Sequence, residues 1–172
     1  KLLSDTWIWN GGWQQLSPAR SPEARSGHDM AYDSRLKLLF LFGGNGENGL
    51  LNDTWTFDGA NWRMLQVKGP PARQSHRMAY DANKGKLFLF GGAEAAGNSL
   101  SDTWVYNGLR WIEQTSAISG RQQHAMAYDP NRKSIVLFGG FTSKDGTKTI
   151  RSDTWELRGR KWLKSRAEGP KA

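Results

Sequence analysis

Residues 25–66 read RSGHDMAYDSRLKLLFLFGGNGENGLLNDTWTFDGANWRMLQ, and this stretch decides the architecture. Turn-forming residues divide it into short extended runs. A first strand is expected at about His28 to Tyr32, turning at Asp33 to Arg35. A second runs from Lys37 to Phe42 and is expected to stop at Gly43 and Gly44. A third covers Thr54 to Phe57, turned by Asp58 and Gly59, and a fourth starts at Trp62 and ends near Gln66. The run LKLLFLF does not alternate apolar with polar residues, so both of its faces must be covered. Trp55 and Phe57 share one face of the third strand while Thr54 and Thr56 take the other, as the two-residue period requires.

The same order recurs outward in both directions. DTW stands at Asp5, Asp53, Asp102 and Asp153, at steps of 48, 49 and 51. A second Trp follows each, at Trp13, Trp62, Trp111 and Trp162, which leaves Trp9 outside the register. Paired glycines close the apolar runs at Gly43 and Gly44, Gly91 and Gly92, and Gly139 and Gly140. Arg25 with His28, Arg73 with His76 and Arg121 with His124 keep the same interval. Sheets covered on both faces and repeated at a fixed period need a neighbouring copy on each side, and radial stacking supplies one.

The order RSGHDMAYD, LFLFGG, LNDTWTFDG and NWRML resembles the kelch repeat of β-propellers, as in the central domain of galactose oxidase, in a Trp-rich form associated with bacterial proteins. The resemblance implies an all-β propeller of four-stranded antiparallel blades closing into a ring. Cut at the family's blade boundary, the chain holds full blades at 25–66, 73–115 and 121–164, and a half blade at 1–16. The tail SRAEGPKA is similar to the links LSPARSPEAR and VKGPPAR. Three and a half blades fall short of the four to eight of a closed propeller. The expectation is therefore a segment of a longer propeller, or an arc completed by another copy.

Composition excludes several classes. With no Cys there is no disulfide, no thiol nucleophile and no thioether cofactor, so the copper-oxidase chemistry known for kelch-like propellers cannot arise in this segment. No apolar run approaches the length of a spanning helix. The opening KLLSDTW has no signal-peptide order and says nothing of targeting. A phosphate loop, a nucleophile elbow and an HExxH motif are all missing from the sequence. The net charge of +8 invites nucleic acid, but the cations are scattered until Arg158 to Lys164, and a solvated surface accounts for them.

Recurrence separates scaffold from site, because packing repeats with the fold while a site is asymmetric. On that ground the three His are structural and stand around the ring, the Trp pairs are core between blades, and the DTW aspartates accept turn amides. Arg25, Arg73 and Arg121 begin the innermost strands near the channel mouth. The resemblance implies contact with acidic ligands there, and hydrogen bonding to loop carbonyls is the structural alternative. The loops after the double glycines differ in length and sequence, whereas DGAN and NGLR are tight turns, so the long loops form the expected binding face. Phe141, Lys144 and Arg151, with Asp145 and Lys148, are its best single-loop candidates.

Together these features describe a non-catalytic binding or protein-interaction scaffold for a protein, acidic or carbohydrate ligand, with no cofactor, on the face of the long loops. The alternative is a carbohydrate-binding propeller or a mutarotase of sugar acids such as sialic acid. That reading places a carboxylate on the three arginines and offers Glu23 or Glu47 as acid or base, but it specifies no general acid and base pair.

Overall fold

The computed structural model describes residues 1–116 and 118–165, so the tail expected to be a link, apart from Ser165, lies outside the described residues. The described chain is all-β, with strands joined by turns. Strands β1 (Thr6–Trp9) and β2 (Trp13–Leu16) form a hairpin. Strands β3 (Asp29–Asp33), β4 (Leu38–Gly46), β5 (Gly49–Phe57) and β6 (Trp62–Leu65) form a four-stranded sheet in chain order. The next sheet contains β7 (Arg77–Asp81), β8 (Lys86–Phe90), β9 (Thr103–Tyr106) and β10 (Trp111–Gln114). The last is built from β11 (Ala125–Asp129), β12 (Ser134–Phe138), β15 (Thr154–Arg158) and β16 (Lys161–Lys164). Between its second and third strands stands a separate hairpin, β13 (Phe141–Lys144) and β14 (Thr147–Ile150). Every pairing is antiparallel. No helix among the described residues is long and apolar enough to cross a membrane.

The sheets stack face to face through their apolar second strands. Phe40 and Phe42 of β4 point forward and pack with Met78, Leu87, Leu89, Tyr106 and Trp111 of the next sheet. Leu41 points backward and packs with Trp55, Phe57 and Trp62. Phe88 and Phe90 repeat the forward contact against Ile135, Leu137, Leu157 and Trp162. Full burial of a side chain such as Phe42 contributes about 1.5–3 kcal/mol, which is why the runs do not alternate. Innermost strands touch in sequence, β3 with β7 and β7 with β11, as leaves around an axis do. The four-stranded leaves form an arc that does not close into a barrel.

Each junction carries one recurring bond. Trp62 Nε1 donates to Thr6 Oγ1 at 2.9 Å, Trp111 Nε1 to Thr54 Oγ1 at 3.1 Å, and Trp162 Nε1 to Thr103 Oγ1 at 2.9 Å. The second Trp of a unit thus reaches into the third strand of the preceding unit. Trp13, at the first unit, is 69% exposed and Trp7 is 47% exposed, so the expectation that all the pairs are core holds for the later units and not for this one.

Two details differ from the sequence expectation. Trp9 is in register after all: it precedes the turn as Phe57 and Tyr106 do, and its ring centre lies 5.5 Å from that of Trp13 as Tyr106 lies 5.4 Å from Trp111. The double glycine ends the second strand at Phe90 and Phe138, but not in the first sheet. There the ladder shifts register between Phe42 and Gly44 and resumes with Gly44 opposite Leu51, so β4 and β5 continue into the loop. A left-handed Gly43, with φ 58°, makes that bulge possible. Gly92 serves a second purpose: a Cβ there would stand 2.6 Å from the Gln74 carbonyl oxygen, so the chains could not approach.

Candidate functional site

The recurring arginines open each unit just ahead of the innermost strand, and all three turn inward. Arg73 is 0% exposed. Its Nη1 and Nη2 donate to Asp102 Oδ1 and Oδ2 at 2.7 and 2.6 Å, Nη1 donates also to the Gly91 carbonyl at 2.9 Å, and Nε to the Pro71 carbonyl at 3.0 Å. Arg25 makes the same set with Asp53, Gly43 and Glu23, and Arg121 with Asp153, Gly139 and Ser119. The outer oxygen of each carboxylate also accepts from the indole of the following Trp, at 2.6 Å from Trp55 and Trp104 and 2.7 Å from Trp155. One planar fork therefore joins the double-glycine turn, the entry to the third strand and the link before the first strand. Four of the five N–H donors of the Arg73 guanidinium are engaged inside the fold in this way. For Arg25, Arg73 and Arg121 these contacts include the hydrogen bonds to loop carbonyls that the structural alternative expects.

The aspartates are corrected by the same geometry. Asp53, Asp102 and Asp153 take an arginine and an indole in place of the turn amides expected for them. Burial alone raises the Asp153 carboxyl, but the Arg121 and Trp155 hydrogen bonds outweigh it and hold the group at about 2. Asp5 is exposed and accepts from the Trp7 indole at 2.7 Å, with no arginine on it among the described residues.

Beside each fork lies a histidine. His76 and His124 are buried against the edges of Phe42 and Phe90, with ring centroids 5.6 and 5.5 Å apart. Burial, then the nearby arginines, push the His76 imidazole well below its usual range and bring His124 to about 3. Both rings are neutral spacers within the core.

The next position in the units does not recur: it is Asp29, Arg77 and Ala125. Asp29 Oδ2 accepts the Met78 amide of the adjacent sheet at 2.6 Å, and burial raises its carboxyl despite that bond and the nearby Arg77. This pair at the inner strands was missed in the sequence, although a departure from HDM to HRM to HAM inside an otherwise repeated string was the available signal.

Sequence reasoning brought together Phe141, Lys144, Asp145, Lys148 and Arg151 as one loop, and the structure makes that loop a hairpin. Lys148 Nζ lies 4.9 Å from the centre of the Phe141 ring. Arg151 Nε donates to Thr142 Oγ1 at 2.9 Å, and that hydroxyl donates to the Gly120 carbonyl at 2.8 Å. Lys144 and Asp145 are exposed at the tip, Lys144 on the opposite side of the hairpin from Phe141 and Lys148.

The hairpin is fastened to the long loop of the preceding unit by residues the sequence did not single out. Ser99 N donates to the Ser143 carbonyl and Ser143 N to Ser99 Oγ, each at 2.8 Å. Asp145 N donates to Asn98 Oδ1 at 3.0 Å, and Gln122 Nε2 reaches the Gly97 carbonyl at 3.2 Å. The second and third long loops form one hydrogen-bonded surface. On the other side, a cavity of about 590 Å³ runs along β10 and β16 from the tight turns, with Lys86, Ile112, Trp162 and Leu163 in its wall. It is a seam between adjacent sheets and lies away from the long loops.

Radially stacked four-stranded leaves with repeated double-glycine turns and a recurring geometry of Arg, Asp and Trp within each full unit define a kelch-type β-propeller arc. The family model of the KLHDC2/KLHL20/DRC7 Kelch-repeats domain matches residues 5–113, and the chain belongs to this family. A comparison with curated proteins finds no match. Kelch-repeat domains serve in general as protein-interaction scaffolds, and that is the class of function this membership gives the chain.

Proposed function

We propose that the chain is a non-catalytic scaffold that binds an acidic protein segment on the face of its long loops. The observation that carries this reading is the bonding of Ser99 to Ser143 across two units, which holds sequence-unique residues on a rigid support. Charge supports an acidic partner. The three internal Arg and Asp pairs cancel, so the excess of +8 belongs to groups outside them, and Lys144, Lys148 and Arg151 concentrate part of it around one hairpin. No observation favours the sugar-acid reading, since its carboxylate would need the arginines that the aspartates already hold.

The arc also supports a completion step. Met30 and Tyr32 on β3 are 44% and 53% exposed, while Met78, at the Met30 position of the next sheet, is 4% exposed. In this proposal further inner strands, from additional chain or a second copy, cover that face.

Pull-down on arrays of acidic and basic peptides tests the binding face. Reversing Lys144 and Lys148 to Glu should abolish capture of acidic peptides, whereas reversing Arg160 and Lys161, at the tight-turn end, should leave it intact. The opposite pattern would move the site to the seam between β10 and β16.

A further inference from the structure

Strand β14 is the free edge of its hairpin, and all four of its residues are exposed. Asp145 and Gly146 form the two-residue turn with φ of 49° and 79°, the left-handed pair of a type I′ turn. In such a hairpin the residues flanking the turn exchange both hydrogen bonds, so Lys144 pairs inward with Thr147, and by alternation Thr142 pairs inward with Thr149. Lys148 and Ile150 therefore direct their N–H and C=O groups away from β13. Two donors and two acceptors stand on this edge at strand spacing.

We propose, building on the acidic-ligand reading above, that β14 accepts an extended peptide as a third strand. The partner is a segment carrying a carboxylate and an apolar residue two positions apart, since Lys148 and Ile150 share one face of the strand. The carboxylate meets Lys148, and the apolar side chain covers Ile150, which is 68% exposed.

Three observations favour this occupant. The edge is already ordered: β13 is bridged to Gln122 on its other side, Arg151 N donates to the Gly140 carbonyl at 2.9 Å, and Ser99 and Asn98 hold the tip. Binding therefore orders the ligand alone. A lysine on an edge strand discourages indiscriminate pairing, and a carboxylate turns the same charge into an attraction. A second copy of β14 is disfavoured, because antiparallel self-pairing places Lys148 of each copy near the other and like charges oppose it.

The test uses the peptide Ac-Thr-Glu-Thr-Val-Thr-NH2 and the full chain, with affinity measured by fluorescence anisotropy of a labelled form. Ile150→Pro removes one outward N–H while keeping the inward ladder, and should weaken binding by about tenfold. N-methylation of the peptide gives an independent reading that leaves the protein unchanged: methyl groups on residues of one parity should abolish binding, and on the other parity should not. Equal effects at both parities would overturn strand addition. If Lys148→Glu still abolished binding in that case, the acidic-ligand reading would stand and only the strand mode would fail. If neither the charge nor the parity mattered, both would fail.

Discussion

The DTW aspartates look alike in sequence, and the structure predicts that they differ widely in their contribution to stability. Asp102→Asn keeps the size of the side chain and its bond from Trp104 but removes the charge opposite Arg73. The guanidinium then remains 0% exposed with its one anionic partner gone. Breaking a buried pair from one side costs about 3–5 kcal/mol, because an uncompensated charge is left in the interior. For a chain of this length each kcal/mol moves the midpoint by about 2–4 °C, so Tm should fall by about 6–20 °C. Asp5→Asn removes only an exposed bond to Trp7 and should cost less than about 1 kcal/mol. Urea unfolding followed by tryptophan fluorescence, with the midpoint confirmed by circular dichroism, measures both. Equal costs for the two substitutions would refute the claim that the forks hold the leaves, and would return the aspartates to the role of turn formers.

Three further outcomes follow from the same contacts. His124 binds its proton at about 3 when folded against 6.5 when unfolded, so the unfolded chain holds more protons between these values and stability falls as pH drops below 6.5. At pH 5 the loss is about 2 kcal/mol from this residue, and His124→Gln should flatten that part of the profile; a flat wild-type curve from pH 7 to 5 would contradict the buried placement. Thr54→Val leaves the buried Trp111 N–H without its acceptor and should cost about 1–3 kcal/mol, read by urea denaturation, with no such penalty at Thr154→Val, where no indole donates among the described residues. Ser99→Ala removes the hydroxyl that accepts from the Ser143 amide and should speed hydrogen exchange there while leaving β8 protected; unchanged exchange at Ser143 would show that the hairpin is held by other means.

The repeats were legible because burial on both faces imposes the same apolar string on every unit, as LFLF and its counterparts show. The forks were not, although each of their members was. Arg and Asp partners stand 28, 29 and 32 residues apart because the long loop between them changes length, so the pairing is invisible to a search at fixed spacing. Trp9 was misplaced for a related reason: the turn before Trp13 is one residue shorter than the turn before Trp62, and aligning the second Trp hides the match to Phe57. The hairpin at Asp145 and Gly146 did carry a signal, a turn dipeptide between TSK and TKT, but its polar alternation reads as a solvated loop unless both sides are weighed together.

A repeated scaffold also determines where specificity can arise. A charge needed in every full unit is neutralised in that unit, and Arg25, Arg73 and Arg121 with their aspartates are therefore equivalent and internal. Discrimination between ligands requires groups that break the pattern and yet stay in place. Most positions satisfy one condition only: the forks are fixed but repeat, and the exposed tight turns vary but make few contacts beyond themselves. The hairpin of β13 and β14 satisfies both, since the loop hairpin of the first unit, at residues 44–51, carries no lysine or arginine and the neighbouring loop bonds β13 along one side. Its unbonded side is then the one surface among the described long loops where a fixed row of main-chain groups meets solvent beside unpaired cations. Recognition there depends on backbone direction and on one or two charges, so binding should weaken gently with salt, in contrast to the steep decline of an association driven by many charges.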